Sequence, residues 1–180
     1  MWWVVVLLGA LVGLAQSLPH FNPFANPFEK SDPHEMIDEL ADMHPIAVLS
    51  TFDGVGGLSS RPMWVRTLTN IMGPNATDED RGIIVLGTDL RTQKVAELQH
   101  NSTVNVLLGN TGVTTRGWVE IKGEMEIVTD PKLKKLAWTP SYRIYFSSHR
   151  DENYCLLVLN KPYSARILTL EGKPRVIQVN

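Results

Sequence analysis

The pattern of apolar and polar positions changes several times along the chain, and each change marks an element. Residues 2–14 form an uncharged apolar run. Residues 18–33 are rich in Pro, Phe and Asn, with Asn-Pro-Phe at 22–24 and again at 26–28, and read as an extended arm packed on the domain or on a partner subunit. Helical spacing starts with Met36, Ile37, Leu40 and Met43 on one face. Asp32 is its expected N-cap, with Pro33 in the first turn, Glu35 reaching back to the cap, and Pro45 as the stop. IAVLSTF at 46–52 and LSSRPMWVR at 58–66 flank a Gly-rich turn and predict a hairpin. Residues 67–81 read as a long polar loop, and GIIVLG at 82–87 as a buried strand. Thr88 or Asp89 is expected to cap a helix running to about His100, with Leu90, Val95 and Leu98 inward. A strand at 103–108 precedes a long alternating stretch at 115–128, where Gly123 marks a bulge or bend. A short helix over 131–138 opens on Asp130-Pro131, with 141–146 as its continuation. Residues 154–159 and 163–170 form a last strand pair. No βαβ alternation appears, which excludes a doubly wound sheet. The expected fold is mainly β with interposed helices (α+β), a closed or half-closed barrel.

At 180 residues the chain has room for one domain with a real core. A net charge of −2 argues against broad electrostatic binding to nucleic acid. The single cysteine, Cys155, excludes an internal disulfide or a multi-thiolate metal site, and its place in YCLLVL predicts a buried, inert thiol. The five histidines show no ligand spacing, so no metal centre is expected. The apolar run at 2–14 is shorter than the roughly 20 residues of a bilayer span. Followed by Ala15-Gln16-Ser17, it reads as a signal peptide, 1–17, cleaved after Ser17, with no stable membrane insertion afterwards. Secretion, or delivery to the lumen of the secretory or endolysosomal pathway, gives meaning to two glycosylation sequons, at Asn75 and Asn101. The expected organisation is signal peptide 1–17, arm 18–33, barrel domain 34–172 and C-terminal tail 173–180.

Five segments taken together carry a resemblance: IAVLSTFDG, LSSRPMWV, TDLRTQKVAELQHNSTVNVLL, GWVEIKGEMEIVTDPKLKKLAW and DENYCLLVLNKPYSARIL. In this order, over 36–168, the chain resembles the FMN-binding split-barrel superfamily of pyridoxamine 5′-phosphate oxidase-like proteins, most closely its general-stress-protein branch. A secreted glycoprotein branch of the CREG type, which does not require flavin, shares the fold, the signal peptide and the sequons. The resemblance implies a split β-barrel, FMN as cofactor and a homodimer with the flavin at its two-fold interface.

An FMN phosphate needs cations together with hydroxyl or backbone donors. Arg61, in mid-strand between Ser60 and Pro62, offers a guanidinium fork. Thr88, Thr92, Gln93 and Lys94 gather at a helix opening, where free N–H groups and the dipole favour an anion. By resemblance, Arg61 and Met63 match the motif that holds phosphate and lines the ring, and Thr88, Thr92 and Lys94 match the phosphate turn. Gln93 stands where the oxidases have Arg, and Trp118 where they have a flavin-contacting glutamine. The oxidases' C-terminal Arg/His substrate pattern is absent from Lys173-Pro174-Arg175. Authentic pyridoxamine phosphate oxidation is therefore not expected, and no catalytic residue can be named.

Plainer readings stand beside these. Arg61 fits an outward charge paired with Glu or Asp, Lys94 a solvated lysine, and Met63 and Trp118 core residues. Two functional classes remain open: an FMN-binding protein with flavin-dependent oxidoreductase chemistry on an unknown substrate, and a non-catalytic, CREG-like secreted glycoprotein acting through a ligand or receptor.

Overall fold

The computed structural model describes residues 27–109, 117–169 and 174–180. The expected signal peptide and most of the Phe-rich arm lie outside the described residues. Among these residues eight strands carry the fold: β1 (Ile46–Phe52), β2 (Leu58–Thr67), β3 (Ile84–Asp89), β4 (Thr103–Gly109), β5 (Gly117–Val128), β6 (Tyr154–Leu159), β7 (Tyr163–Thr169) and β8 (Arg175–Val179). Among the described residues four α-helices intervene: α1 (Pro33–Met43), α2 (Leu68–Met72), α3 (Gln93–His100) and α4 (Pro131–Ala137). The sheet order β4-β1-β2-β3-β6-β5, closed by a β4–β5 ladder, makes an antiparallel six-strand barrel. β7 and β8 extend it beside β5. This is the split-barrel α+β fold.

β5 is the strand that lets the sheet close. Its first part pairs with β4 on one edge and with β7 on the other, up to Lys122–Ser164. From Met125 onward β6 replaces β7 on that second edge. Gly123 sits at the exchange, where an added Cβ would lie 2.9 Å from both Leu159 and Tyr163, so only a bare backbone fits. The expected pairing of 154–159 with 163–170 is corrected here. The two strands lie end to end along β5, and β6 instead pairs with β3.

β6 is buried on both faces, and its alternation divides the interior in two. Cys155, Leu157 and Leu159 join the barrel core, to which α1 adds Met36, Ile37 and Leu40 and α3 adds Val95 and Leu98. Tyr154, Leu156 and Val158 face outward into a second cluster with Tyr142, Phe146 and Ala137. That cluster explains the helix found within the expected polar loop at 67–81. Leu68 and Ile71 of α2 pack against it, and Thr67 caps the helix by accepting from the Asn70 N–H. The expected continuation over 141–146 is a separate 3-10 turn, Pro140–Ile144, whose Tyr142 packs into the same cluster.

Three further local expectations are revised. Asp32 caps α1 through the His34 N–H at 2.9 Å, but Glu35 takes Lys30 at 2.6 Å instead of reaching back to the cap. Thr88 and Asp89 remain in β3, paired with Cys155 and Tyr154, so the cap of α3 falls at Thr92. The expected tail contains β8, which gives β7 an antiparallel partner and buries Val179. No helix among the described residues is long and apolar enough to cross a membrane.

Candidate functional site

The barrel wall is open between β2 and β3. Their ladder holds only Val65–Leu86, Arg66–Val85 and Thr67–Ile84. Extending that register would set Met63 opposite Thr88, yet the strands part before reaching it. Among the described residues the first half of β2 is therefore held by β1 alone, through pairs such as Leu49–Arg61 and Ala47–Met63. Strand alternation turns Arg61 and Met63 to the same face as buried Val65, and Met63 packs half-buried against the core.

Six of the seven residues expected from the sequence gather at this opening, Met63 among them. Lys94, half-buried on the first turn of α3, donates to the Thr88 hydroxyl at 3.1 Å. Burial, and then the nearby Arg61 charge, hold the Lys94 ammonium below its ordinary pKa. The Thr92 hydroxyl donates to the Asp89 carbonyl at 2.7 Å, so the Thr92 side chain does not cap the opening N–H groups of α3. Gln93 is exposed and donates to Glu97 at 2.7 Å. Arg61 donates to the Thr51 hydroxyl and to Glu97, each at 2.9 Å. The plainer expectation for Arg61, an outward charge paired with Glu or Asp, is met in its pairing alone: the partner is Glu97, 5% exposed, but Arg61 lies on the inner face of β2.

Glu97 is the functional candidate that sequence reasoning missed. It lies 36 residues from Arg61, and its mid-helix position gave no sign that a β2 side chain would reach it. Burial alone would raise the Glu97 carboxyl, but hydrogen bonds from Thr51 and Arg61 outweigh this and hold it below its ordinary value. The local chemistry fits an anion with hydroxyl-assisted binding. Two cations, the Thr88 hydroxyl and an uncapped helix start converge, with one carboxylate offsetting part of the charge.

Trp118 is not part of this cluster. Its neighbours Gly117 and Val119 are buried, whereas Trp118 points outward and is 36% exposed. The register joins it to an apolar outer face. Trp118 pairs with Gly109, Leu107 with Val48, and Ile46 with Trp64. Trp64 and Ile46 are about half exposed, at 52% and 50%. A cavity of about 400 Å³ opens on this face, lined by Met43, His44, Pro45, Ile46, Val48, Leu107, Gly109 and Trp118. The barrel wall thus separates the cation cluster from the indole.

The remaining singled-out residues lie elsewhere. Asn75 is exposed at the end of a 3-10 turn. Asn101 is half-buried, and its side-chain oxygen accepts from the Thr103 N–H at 3.0 Å. Cys155 is fully buried, and burial pushes its thiol up to about 11.

A comparison with curated proteins gives no match. Among solved structures, general stress protein 26 from Bacillus anthracis superposes with TM-score 0.64 at 23% identity, covering 81% of this chain and 98% of that one. An FMN-binding, pyridoxamine 5′-phosphate oxidase-related protein from Nostoc punctiforme gives TM-score 0.51 at 15% identity, covering 76% and 87%. A haem-binding protein from Mycobacterium smegmatis gives 0.62 at 13% identity, covering 83% of this chain and 59% of that one. These likenesses establish the fold. The family model for pyridoxamine 5′-phosphate oxidase matches residues 33–176, most of the chain and every strand up to the start of β8. On that match the chain belongs to the pyridoxamine 5′-phosphate oxidase family of split-barrel proteins.

Proposed function

We propose that this protein binds FMN in a site shared by two copies of the chain and acts as a flavin-dependent oxidoreductase of the secretory pathway. The observation that carries the reading is the convergence of Arg61, Lys94, Thr88 and the uncapped start of α3 at the open seam. A phosphate monoester matches that set in charge and in hydrogen-bonding capacity. When bound, flavin supplies hydride or electron transfer. The chain's own residues hold the phosphate (Arg61, Thr88, Lys94, with Thr92 and Gln93 beside them) and pack on the seam side of the ring (Met63).

The homodimer is part of the same reading. Arg61 and Trp118 face opposite sides of the barrel wall, so one flavin meets both only where the seam of one copy abuts the outer face of another. The exposed apolar row of Ile46, Trp64, Leu107 and Trp118 is the kind of surface that a stable subunit contact covers. An indole is suited to stacking on the flat, apolar faces of a flavin ring. The secretory assignment rests on residues 1–17 and the two sequons; a mature N-terminus at Leu18 is its test.

The deciding experiment is a flavin titration of the purified protein, followed by fluorescence quenching. FMN should bind, and Lys94→Ala should weaken it about ten- to a hundredfold, in line with roughly 1.5–3 kcal/mol for a hydrogen bond to a charged group. Riboflavin, which lacks the phosphate, should respond little to the change. Equal FMN affinity in both proteins removes the phosphate assignment. A second reading, a CREG-like secreted binding glycoprotein without flavin, draws support from the Arg61–Glu97 pair, which spends one of the two cations internally. A wild-type protein that binds neither flavin favours it.

A further inference from the structure

We infer that Glu97 is the positioning residue of the phosphate end, holding Arg61 and Gln93 so that both present to one ligand at the mouth of the seam. The inference rests on the flavin reading above. Glu97 Oε2 accepts from the Thr51 hydroxyl and from Arg61, the latter at 2.9 Å, and Oε1 accepts from Gln93 at 2.7 Å. One buried carboxylate therefore ties β1, β2 and α3 together at the place where β2 has lost β3. A free arginine on an unsupported strand samples many rotamers, and binding an anion would have to order it. With two of its N–H groups fixed on Thr51 and Glu97, the guanidinium is ordered beforehand, and its other N–H groups remain for an acceptor.

The opposite outcome is also physically defined. Glu97 is a negative charge near the anion's place, so electrostatics alone says that removing it tightens FMN binding. Position and charge thus predict opposite signs. Glu97→Gln separates them: it keeps the volume, removes the charge, and sets an NH2 among donors that need an acceptor.

The test is titration of wild type and Glu97→Gln with FMN and with riboflavin, using flavin fluorescence, with thermal unfolding as the check on folding. The expected result is FMN affinity about tenfold lower in Glu97→Gln, with riboflavin affinity within about twofold of wild type. Unchanged or tighter FMN binding overturns the positioning role while leaving the flavin reading intact. An equal loss for both flavins also overturns it, because the effect then has nothing to do with the phosphate. Wild type that binds neither flavin overturns the flavin reading, and this inference with it. Should Glu97→Gln fail to fold, Thr51→Val removes the hydroxyl shared by Arg61 and Glu97 and should weaken FMN binding about threefold, again sparing riboflavin; no change in FMN affinity there overturns the inference.

Discussion

Arg61→Ala removes the only charged donor among the hydrogen bonds to Glu97 described above and leaves a 5%-exposed carboxylate with neutral donors alone. Breaking a buried ion pair by deleting one partner costs about 3–5 kcal/mol. The Arg61 side chain is 21% exposed against 4% for Glu97, so water already screens part of the pair and the low end, about 3 kcal/mol, applies. For a domain of this size that corresponds to a fall in Tm of roughly 10 °C. The pH dependence adds a second signature. In wild type the Glu97 carboxyl is held below its ordinary value of 4.5. The pair's contribution is therefore complete above that value and is lost as pH falls through the lower folded-state pKa. In Arg61→Ala the carboxyl loses its cation, and burial drives its pKa up, so acidification relieves the mutant by protonating it. The stability gap should be widest near neutral pH and shrink toward about pH 4. Arg61→Ala/Glu97→Gln, with no buried charge to strand, should recover at least half of the loss. Urea unfolding of the three proteins at several pH values measures all of this. An Arg61→Ala protein as stable as wild type, or a gap that does not change with pH, refutes the reasoning. So does a double variant no better than the single one.

Three other outcomes are expected. Cys155, fully buried with its thiol pushed up to about 11, should react with a thiol reagent only on unfolding; labelling of the native protein within minutes contradicts its place inside the barrel. Gly87→Ala would set a Cβ 2.6 Å from the Tyr142 ring and should lower stability by roughly 1–3 kcal/mol, read by thermal unfolding; a neutral result means that the 3-10 turn moves freely off β3. Light scattering should give about twice the mass of the mature chain, and Trp64→Glu on the exposed face should shift it toward monomer; a wild-type monomer at micromolar concentration that still binds FMN points to a self-contained site.

Much of the fold was legible in the chain because its strands carry local signals. The alternation in 117–128, the Gly-rich turn between β1 and β2, and the Asp-Pro starts of α1 and α4 each act over a few residues, and sequence displays interactions of that range. The order of elements and their resemblance to a family followed from them. Where one element's end depends on another, the reading slipped. β3 runs on through Asp89 because Cys155 and Tyr154 offer it a ladder, and residues 68–72 coil because the second cluster takes Leu68 and Ile71.

The candidate site divides along the same line. The sequence by itself determined which side chains could serve an anion: a strand arginine and a helix opening with Thr and Lys at close spacing. It also determined the buried thiol, since an unbroken apolar run leaves Cys155 nowhere else to go. Only the tertiary structure decided that β2 parts from β3 to expose Arg61 and Met63 beside Thr88, and that Trp118 lies outside the wall and not among them. It alone paired Arg61 with Glu97. The physical reason is range: propensity, capping and alternation are settled between neighbours in the chain, whereas a ladder's end, a strand's outward face and a buried ion pair depend on which distant segments closure of the barrel brings together.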